Sequence, residues 1–301
     1  MPCDAAAHVE LIHSLSVPGG PLTAIARTAT VNNPVWFSQA FGGDAAPTAD
    51  RDLLQRRLMG EQLAAFSAEW RRQAVVMAGP PGAGKGTVCR ADFDPSGFVV
   101  IDADEFKAAL LREAISDGSY ESWIKPTVVK DLEARGERFA PMELASLVHE
   151  ESSLLAASMR ASAVSDGWNI MVDSVTSDAR APLGLGRQLM SAGYRVTVVD
   201  VEVPFEVSAA AIRERYRDGY ERALAGEETL GGRWVPSEYA RGVFNGSGQP
   251  SKPELAARVL AERCPMVMEY RLYPGSEPNG PRFLDTCLIR RYPGGPLIMA
   301  D

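Results

Sequence analysis

The feature that constrains this chain most is the stretch VVMAGPPGAGKGT at residues 75–87. It begins as an apolar, β-branched run, which is typical of a buried strand. It continues into residues 79–85, which fit the spacing GxxxxGK. Glycines at these positions let successive backbone N–H groups point at phosphate oxygens, and a helix beginning at the lysine adds its positive N-terminal end. The stretch therefore predicts a strand–loop–helix unit that binds phosphate groups.

Strand-like and helix-like stretches alternate through the rest of the chain. Apolar runs such as FVVIDA, WNIMVDS and YRVTVVDVEV are separated by segments with helical periodicity, including a long amphipathic helix predicted over residues 141–165. Continuous apolar strands separated by helices are typical of a parallel sheet that is covered on both faces. We therefore predict an α/β fold, with a P-loop NTPase-like or kinase-like parallel sheet and helices on both faces. The stretches MVMEYRLY and RFLDTCLIRRY predict one more strand or a hairpin.

The beginning of the chain has a different character. Its segments SVPGGPLT and AFGGDAAPTAD are rich in turn-forming residues, and a helical pattern starts only at Asp50. We predict a short N-terminal extension over residues 1–49, which is an arm, a partner-docking segment or an in-chain inhibitor. The P-loop kinase domain is predicted over residues 50–301. Within it, the glycine-rich segment at about residues 225–240 is predicted to form a lid.

Charge and composition limit the classes of partner that we expect this chain to bind. Its 39 acidic residues outnumber its 31 basic ones, which gives a net charge of −8 and disfavours a nucleic-acid partner. No apolar run approaches the roughly 18 residues of a membrane span, and the N-terminus lacks the pattern of a signal peptide. The four cysteines are scattered without metal-ligand spacing and predict free thiols. We therefore expect a cytoplasmic protein with neither a nucleic-acid nor a membrane partner.

The phosphate-binding loop departs from the usual motif at one position. The motif has a serine or threonine after its lysine as a magnesium ligand, but this chain has Gly86 after Lys85 and Thr87 one residue later. We therefore expect Mg²⁺ to be held partly by Thr87 and partly by an acid elsewhere. Lys85 is expected to reach the β- and γ-phosphates of ATP or GTP. The predicted nucleotide-binding residues are Gly79, Pro80, Pro81, Gly82, Ala83, Gly84, Lys85, Gly86 and Thr87.

Two acidic residues, Asp102 and Asp104, follow the next predicted strand. The carboxyl end of a strand is where α/β sheets place their ligands. A carboxylate beside a transferring phosphate can accept the proton of an attacking hydroxyl, which makes Asp104 the candidate general base. The alternative is that Asp104 only caps the following helix. The sequence leaves two roles open for Asp102, that of a magnesium ligand and that of a residue that supports the site.

Several motifs occur in one order along the chain. They are AGPPGAGKGT, VIDADEFKAALL, ELASLVHEESSLLAASM, GWNIMVDSVTSDAR, AGYRVTVVDVEVPFEVS, RERYRDG and GGRWVPSEYA. With them the sequence from about residue 51 to about residue 273 resembles the zeta-toxin family of P-loop small-molecule kinases. The resemblance implies that Asp104 is the general base. It also implies that Arg215 and Arg233 close on the phosphates of ATP as catalytic residues beside Lys85.

Two further acids are candidate substrate residues. In the HEES segment we predict that Glu151 contacts a substrate hydroxyl, the alternative being a solvated helix face. In the family the corresponding strand ends in an acid, and in this chain that acid is Asp173. It is predicted to bind Mg²⁺ or the acceptor. The family often continues with Gly-Thr and a basic residue, whereas residues 174–177 read SVTS here. This departure leaves the identity of the acceptor open.

The motifs together predict an ATP-dependent phosphotransferase. The resemblance implies transfer of a γ-phosphate to a hydroxyl of UDP-N-acetylglucosamine or a relative, and a toxin whose partner is a small helical antitoxin. Alternatives within enzymes are a kinase of an NAD-like nucleotide, a nucleoside-monophosphate kinase suggested by GKGT, and a polynucleotide 5′-kinase, which the acidic charge disfavours. The alternative from another class is a nucleotide-binding regulatory module without transfer. The NKxD segment that a GTPase would need is missing from the sequence.

Overall fold

The structure is a computed structural model that describes residues 5–38, 45–173, 181–246 and 248–300. By their internal contacts the residues fall into two compact units, each built from three separate stretches of chain. Unit 1 comprises Met1–Gln62, Ala103–Ala157 and Arg213–Glu238. Unit 2 comprises Leu63–Asp102, Ser158–Ile212 and Tyr239–Asp301.

The regular elements of the described residues are numbered in chain order. The strands are β1 (Phe37–Ser38), β2 (Ala46–Pro47), β3 (Gln73–Ala78), β4 (Val99–Ile101), β5 (Ile170–Asp173), β6 (Arg195–Glu202), β7 (Val267–Pro274), β8 (Thr286–Ile289) and β9 (Ile298–Met299). The α-helices are α1 (Ala5–Ser16), α2 (Ala49–Ala64), α3 (Lys85–Asp92), α4 (Ala103–Ser116), α5 (Thr127–Glu133), α6 (His149–Asp166), α7 (Ala181–Ser191), α8 (Phe205–Leu224), α9 (Ser237–Gly242) and α10 (Lys252–Arg263). Shorter helical segments are Thr30–Asn32, Pro95–Gly97, Tyr120–Ile124 and Pro141–Val148.

Unit 2 is organised around one mixed, mainly parallel sheet. Its strand order is β4-β5-β3-β6-β7-β8-β9. The strands from β4 to β7 pair in parallel, while β8 pairs antiparallel with β7 and β9 pairs antiparallel with β8. The predicted P-loop α/β fold is therefore confirmed. The two C-terminal stretches that predicted a strand or hairpin form β7 and β8.

The two faces of β3 are buried against different helices of unit 2. Val75 and Met77 belong to a core cluster with Val88 of α3 and Val207 of α8. On the other face α10 contacts β3, β6, β7 and α7. Because neighbouring residues of a strand point to opposite faces, the fully apolar run of β3 is what a strand covered on both sides requires.

The helix predicted over residues 141–165 is divided into two elements. Pro141–Val148 is a 3₁₀ helix, and α6 follows it from His149. Leu144 and Leu147 are buried, and their spacing of three residues suits both a 3₁₀ and an α-helix. Over such a short run the sequence pattern does not separate the two, so the boundary was missed.

The N-terminal segment packs into unit 1 and is not an exposed arm. Ile12 and Leu22 are fully buried. The imidazole of His8 is also fully buried, lies 2.8 Å from a carboxylate oxygen of Glu143, and stacks on the ring of Tyr220 at 4.4 Å. The sequence obscured this packing because α1 buries a polar residue as well as apolar ones. The predicted division at residues 49 and 50 also differs from the division by contacts.

Two further expectations from composition concern membranes and thiols. Within the part of the chain that the structure describes, no helix has the length and apolar character of a membrane span. Cys89, Cys264 and Cys287 are free thiols. Cys3 lies outside the described residues.

Two neighbouring acids lie near the carboxyl end of β6, where Asp200 is buried and Glu202 is half-buried. Asp200 is fully buried and accepts a hydrogen bond of 2.7 Å from the hydroxyl of Tyr270. Glu202 accepts one of 3.0 Å from the hydroxyl of Ser251. Burial raises the pKa of both carboxyls, and the neighbouring Asp200 raises the pKa of Glu202 further, to about 9. Glu202 is therefore protonated at neutral pH and can share its proton with Asp200.

This raised pKa predicts that unit 2 loses stability as the pH rises. A carboxyl whose pKa is raised on folding gives its full stabilisation below its ordinary pKa of about 4.3, and the stabilisation falls as the pH approaches the raised pKa. We expect Glu202→Gln to flatten this decline, which urea unfolding at a series of pH values would measure. Glu262→Gln, at an exposed acid of α10, is the matched control. An unchanged slope in Glu202→Gln would contradict the assignment.

Candidate functional site

The loop between β3 and α3, in unit 2, has a conformation that requires glycine. Gly79 has a φ of 134°, and a Cβ added there would lie 2.1 Å from the carbonyl oxygen of Val201. Gly82 has a φ of 73°, and its Cβ would lie 2.9 Å from the carbonyl oxygen of Ser208. Gly84, with a φ of 95°, precedes the first residue of α3. The loop therefore needs glycine at these positions, as a tight phosphate-binding turn does.

Two side chains that sequence reasoning missed hold the loop in place. The hydroxyl of Ser208, on α8, donates a buried hydrogen bond of 2.7 Å to the carbonyl oxygen of Pro81. Nε of Arg282 donates one of 2.8 Å to the carbonyl oxygen of Ala83, which is fully buried. Ser208 ends the motif AGYRVTVVDVEVPFEVS and Arg282 begins the stretch RFLDTCLIRRY, but each is more than a hundred positions from the loop. No signal in the sequence could have identified them.

Lys85 lies over the start of the loop. Its ammonium donates to the carbonyl oxygens of Gly79 at 3.1 Å and Pro80 at 3.3 Å. It also lies 3.6 Å from Oδ1 of Asp173, at the end of β5. β5 pairs with β3, and Asp173 is in register with Met77 just before the loop. The sheet register thus brings Lys85 and Asp173 together at the phosphate loop.

The candidate magnesium ligands of unit 2 are Thr87, Asp102 and Asp173. Asp102 follows Ile101, which pairs with Val172, so Asp102 and Asp173 continue adjacent strands at the same edge of the sheet. Thr87 is exposed in the first turn of α3. Within the described residues, groups of three or more His, Cys, Asp or Glu that could hold a metal are absent. The donor set still fits Mg²⁺, which prefers oxygen and is usually held by one or two carboxylates together with substrate phosphates and water.

Asp104 lies in unit 1, where two cations fix its carboxylate. Oδ1 accepts hydrogen bonds from Nη1 of Arg233 at 2.6 Å and from Nζ of Lys107 at 2.9 Å. Burial acts to raise the pKa of Asp104, but the charges of Arg233, Lys107 and Arg215 outweigh it and hold the pKa below its ordinary value. Asp104 is the second residue of α4 and so does not serve as its N-cap. An ionised carboxylate that is partly exposed can accept a proton or bind a hydroxyl.

Two residues beside Asp104 were not predicted. Lys107 lies three positions after Asp104, the spacing at which side chains meet on one face of a helix, so the sequence did carry a signal for this pair. His149 begins α6, and burial, followed by the charge of Lys107, lowers its pKa to about 4. It is therefore a neutral imidazole at neutral pH, able to accept a hydrogen bond as well as donate one.

The backbone before Arg233 is closely packed within unit 1. A Cβ added to Gly219 would lie 2.4 Å from Cα of Gly232, so α8 and the predicted lid approach each other through two glycines. The next residue, Trp234, is buried, and its indole N–H donates to the hydroxyl of Ser16 at 2.8 Å. Arg233 is thus presented to Asp104 from an ordered segment. Opening and closing of a lid at about residues 225–240 stays a prediction.

Glu151 was predicted to contact a substrate hydroxyl, but its surroundings give this contact little support. Its side chain is fully buried. Arg51 binds both carboxylate oxygens at 2.7 Å, and Nε2 of Gln55 donates to one of them at 2.9 Å. In this geometry the carboxylate is occupied by two residues of α2. The contact with a substrate hydroxyl stays a prediction.

Comparisons with known proteins agree with this architecture. A protein-family model described as AAA domain matches residues 75–232, which begin in β3 and end at Gly232. The fold is similar to a crystal structure of AvrRxo1-ORF1:AvrRxo1-ORF2 with sulphate ions, with a TM-score of 0.55, 16% identity, and coverage of 84% of this chain and 70% of that chain. For AvrRxo1-ORF1:-ORF2 with ATP the TM-score is 0.53 at 17% identity, with the same coverage of 84% and 70%.

A weaker likeness is to a structure from the PezAT chromosomal toxin–antitoxin system of Streptococcus pneumoniae, with a TM-score of 0.47, 14% identity, and coverage of 76% of this chain and 78% of that chain. A comparison with curated proteins finds no significant match. The family match and the shared fold confirm the predicted P-loop domain and its architecture. The phosphate loop of unit 2 lies within the matched residues, and this chain belongs to the AAA-domain family of P-loop proteins.

Proposed function

We propose that the protein is a kinase that transfers the γ-phosphate of ATP, or of GTP, to a hydroxyl of a small nucleotide-like metabolite. The observation that carries the proposal is the glycine-dependent loop of unit 2, with Lys85 and Asp173 beside it. A protein of the same fold has been crystallised with ATP, which supports the choice of donor. The P-loop fold supports a phosphotransferase, which is the function that this loop suits best.

Unit 2 would bind the donor. The backbone N–H groups of the loop and the N-terminal end of α3 would hold its phosphates. Lys85, which now donates to carbonyl oxygens of its own loop, would turn to the β- and γ-phosphates. Thr87, Asp102 and Asp173 would hold Mg²⁺, which offsets negative charge on the phosphate oxygens when it is bound.

Unit 1 would supply the groups for the acceptor. We assign to Asp104 the removal of the proton from the attacking hydroxyl. Arg233 and Arg215 would stabilise the negative charge that spreads over the transferring phosphate, because a guanidinium can bind two oxygens at once. In the structure Nη1 of Arg233 is bonded to Oδ1 of Asp104.

The acceptor is proposed from the resemblance to the zeta toxins. UDP-N-acetylglucosamine or a relative is the first candidate, and an NAD-like nucleotide or a nucleoside monophosphate is the alternative. The segment after Asp173 that departs from the family, residues 174–177, lies outside the described residues. A protein antitoxin is a proposed partner, since one solved relative of this fold is a complex of two proteins, AvrRxo1-ORF1 and -ORF2.

An acceptor panel tests the proposal directly. Purified protein is incubated with γ-labelled ATP and, separately, UDP-N-acetylglucosamine, NAD and nucleoside monophosphates, and the products are separated. We expect one acceptor to become labelled, and we expect Lys85→Ala to abolish the labelling because the β- and γ-phosphates lose their cation. Arg90→Ala, at an exposed cation on the same helix, is the matched control. Nucleotide binding without label on any acceptor, including a whole metabolite extract, would favour the regulatory module instead.

A further inference from the structure

The segment that joins β7 to β8, residues 275–285, lies against the phosphate loop of unit 2. Besides the bond from Arg282 to Ala83, two glycines flank the side chain of Arg282. A Cβ added to Gly84 would lie 3.4 Å from Nε of Arg282, and one added to Gly275 would lie 2.5 Å from it. One glycine of the loop and one of the joining segment therefore leave space for a single guanidinium.

The same guanidinium also binds its own segment. Nη1 of Arg282 donates to the carbonyl oxygen of Gly280 at 2.7 Å, and Nη2 donates to that of Glu277 at 3.1 Å. Because a guanidinium is planar and rigid, bonds from three of its nitrogens fix the joining segment relative to Ala83. The phosphate loop just before α3 and residues 275–285 are thus held together by one side chain.

Two apolar side chains follow Arg282 and are exposed. Phe283 is 73% exposed and Leu284 is 48% exposed. The register of β8 places them at the edge of the sheet where the phosphate loop lies, because Thr286 pairs with Leu272 near the end of β7. The exposed ring of Phe283 follows a residue that is bonded to the phosphate loop. It is therefore suitably placed to contact the base of a nucleotide whose phosphates occupy that loop.

We propose that Arg282 and Phe283 form the nucleoside side of the donor site. Arg282 is the positioning residue that holds the segment on the loop, and Phe283 offers an aromatic surface on which a purine base stacks. The proposal rests on the proposed function, since it takes the donor to be a nucleoside triphosphate whose phosphates occupy the loop. Stacking on a ring does not distinguish one base from another, so this surface accepts adenine and guanine alike.

The test separates the base from the phosphates by comparing ATP with inorganic tripolyphosphate. Calorimetric titration gives the Kd of each ligand for the wild type and for Phe283→Ala. We expect Phe283→Ala to weaken ATP binding by roughly tenfold or more and to leave tripolyphosphate binding unchanged, because only ATP carries a base that can stack. Phe283→Tyr, which keeps a ring, is expected to restore ATP binding. Arg282→Ala is expected to weaken both ligands, because it releases Ala83.

Tyr292→Ala is the matched control, since this exposed aromatic residue follows β8 at the opposite edge of the sheet. ATP binding that is unchanged in Phe283→Ala, or an equal loss for ATP and tripolyphosphate, would overturn the inference. Lys85→Ala, measured alongside, distinguishes this failure from that of the proposed function. If Lys85→Ala weakens both ligands while Phe283→Ala weakens neither, only the inference fails. If Lys85→Ala weakens neither ligand, the loop is not the donor site and both fail.

Discussion

Asp104→Asn is expected to abolish phosphate transfer while nucleotide binding stays near that of the wild type. The amide keeps the shape of the carboxylate but cannot accept the proton of the acceptor hydroxyl. General acid–base catalysis of this kind contributes about 10²- to 10⁴-fold to a rate. Single-turnover transfer to the labelled acceptor and titration with ATP would measure the two effects separately.

The matched control for Asp104 is its neighbour Glu105. Glu105 is exposed on the same turn of α4, so Glu105→Gln should transfer phosphate at the wild-type rate. Since Asp104 also binds Arg233 and Lys107, the unfolding midpoint of each variant must be recorded before rates are compared. Transfer that persists in a folded Asp104→Asn variant would rule out Asp104 as the base.

Glu151→Ala is expected to lower the free energy of unfolding by about 3–5 kcal/mol, because it leaves a buried charge without its partner. The charge is that of Arg51, whose side chain is only 6% exposed and which binds both oxygens of Glu151. Urea unfolding followed by circular dichroism would measure the loss. Glu150→Gln, at the exposed preceding residue, should change the stability by less than about 0.5 kcal/mol.

A double variant separates a structural role of Glu151 from a contact with substrate. Arg51→Met combined with Glu151→Leu removes both buried charges, so we expect it to recover part of the stability lost in Glu151→Ala. The isosteric Glu151→Gln provides the kinetic comparison. If Glu151→Gln raised the KM for the acceptor and left the unfolding free energy unchanged, Glu151 would be a substrate residue and its pairing with Arg51 would be secondary.

The sequence allowed the phosphate loop and the sheet around it to be predicted because their signals are local. The apolar run of β3, the glycine spacing and Lys85 lie within 13 consecutive residues. Asp104 was predicted as a site residue because a strand end precedes it. Lys107 could have been found, since its spacing from Asp104 is that of neighbours on one helix face.

What the sequence did not reveal depends on contacts between distant positions. Glu143 accepts hydrogen bonds from His8, from the hydroxyl of Tyr216 and, at 2.5 Å, from the backbone N–H of Ala140. Such a buried polar cluster has no apolar periodicity, so α1 was predicted only as part of an N-terminal extension and not as part of a packed unit. The same holds for Arg282, whose role depends on a loop 199 positions away. Local propensity carries no information about pairs of this kind.

The interleaving of the two units has a consequence for synthesis on the ribosome. Unit 1 includes both the start of the chain and Glu238, so it cannot be completed until that residue has been translated. His8 is made more than two hundred residues before Tyr220, on which it stacks. At about 5–20 residues per second, α1 waits roughly 10–40 s for this partner. During that time its apolar side chains are available to chaperones, and neither unit can be produced by simply cutting the gene in two.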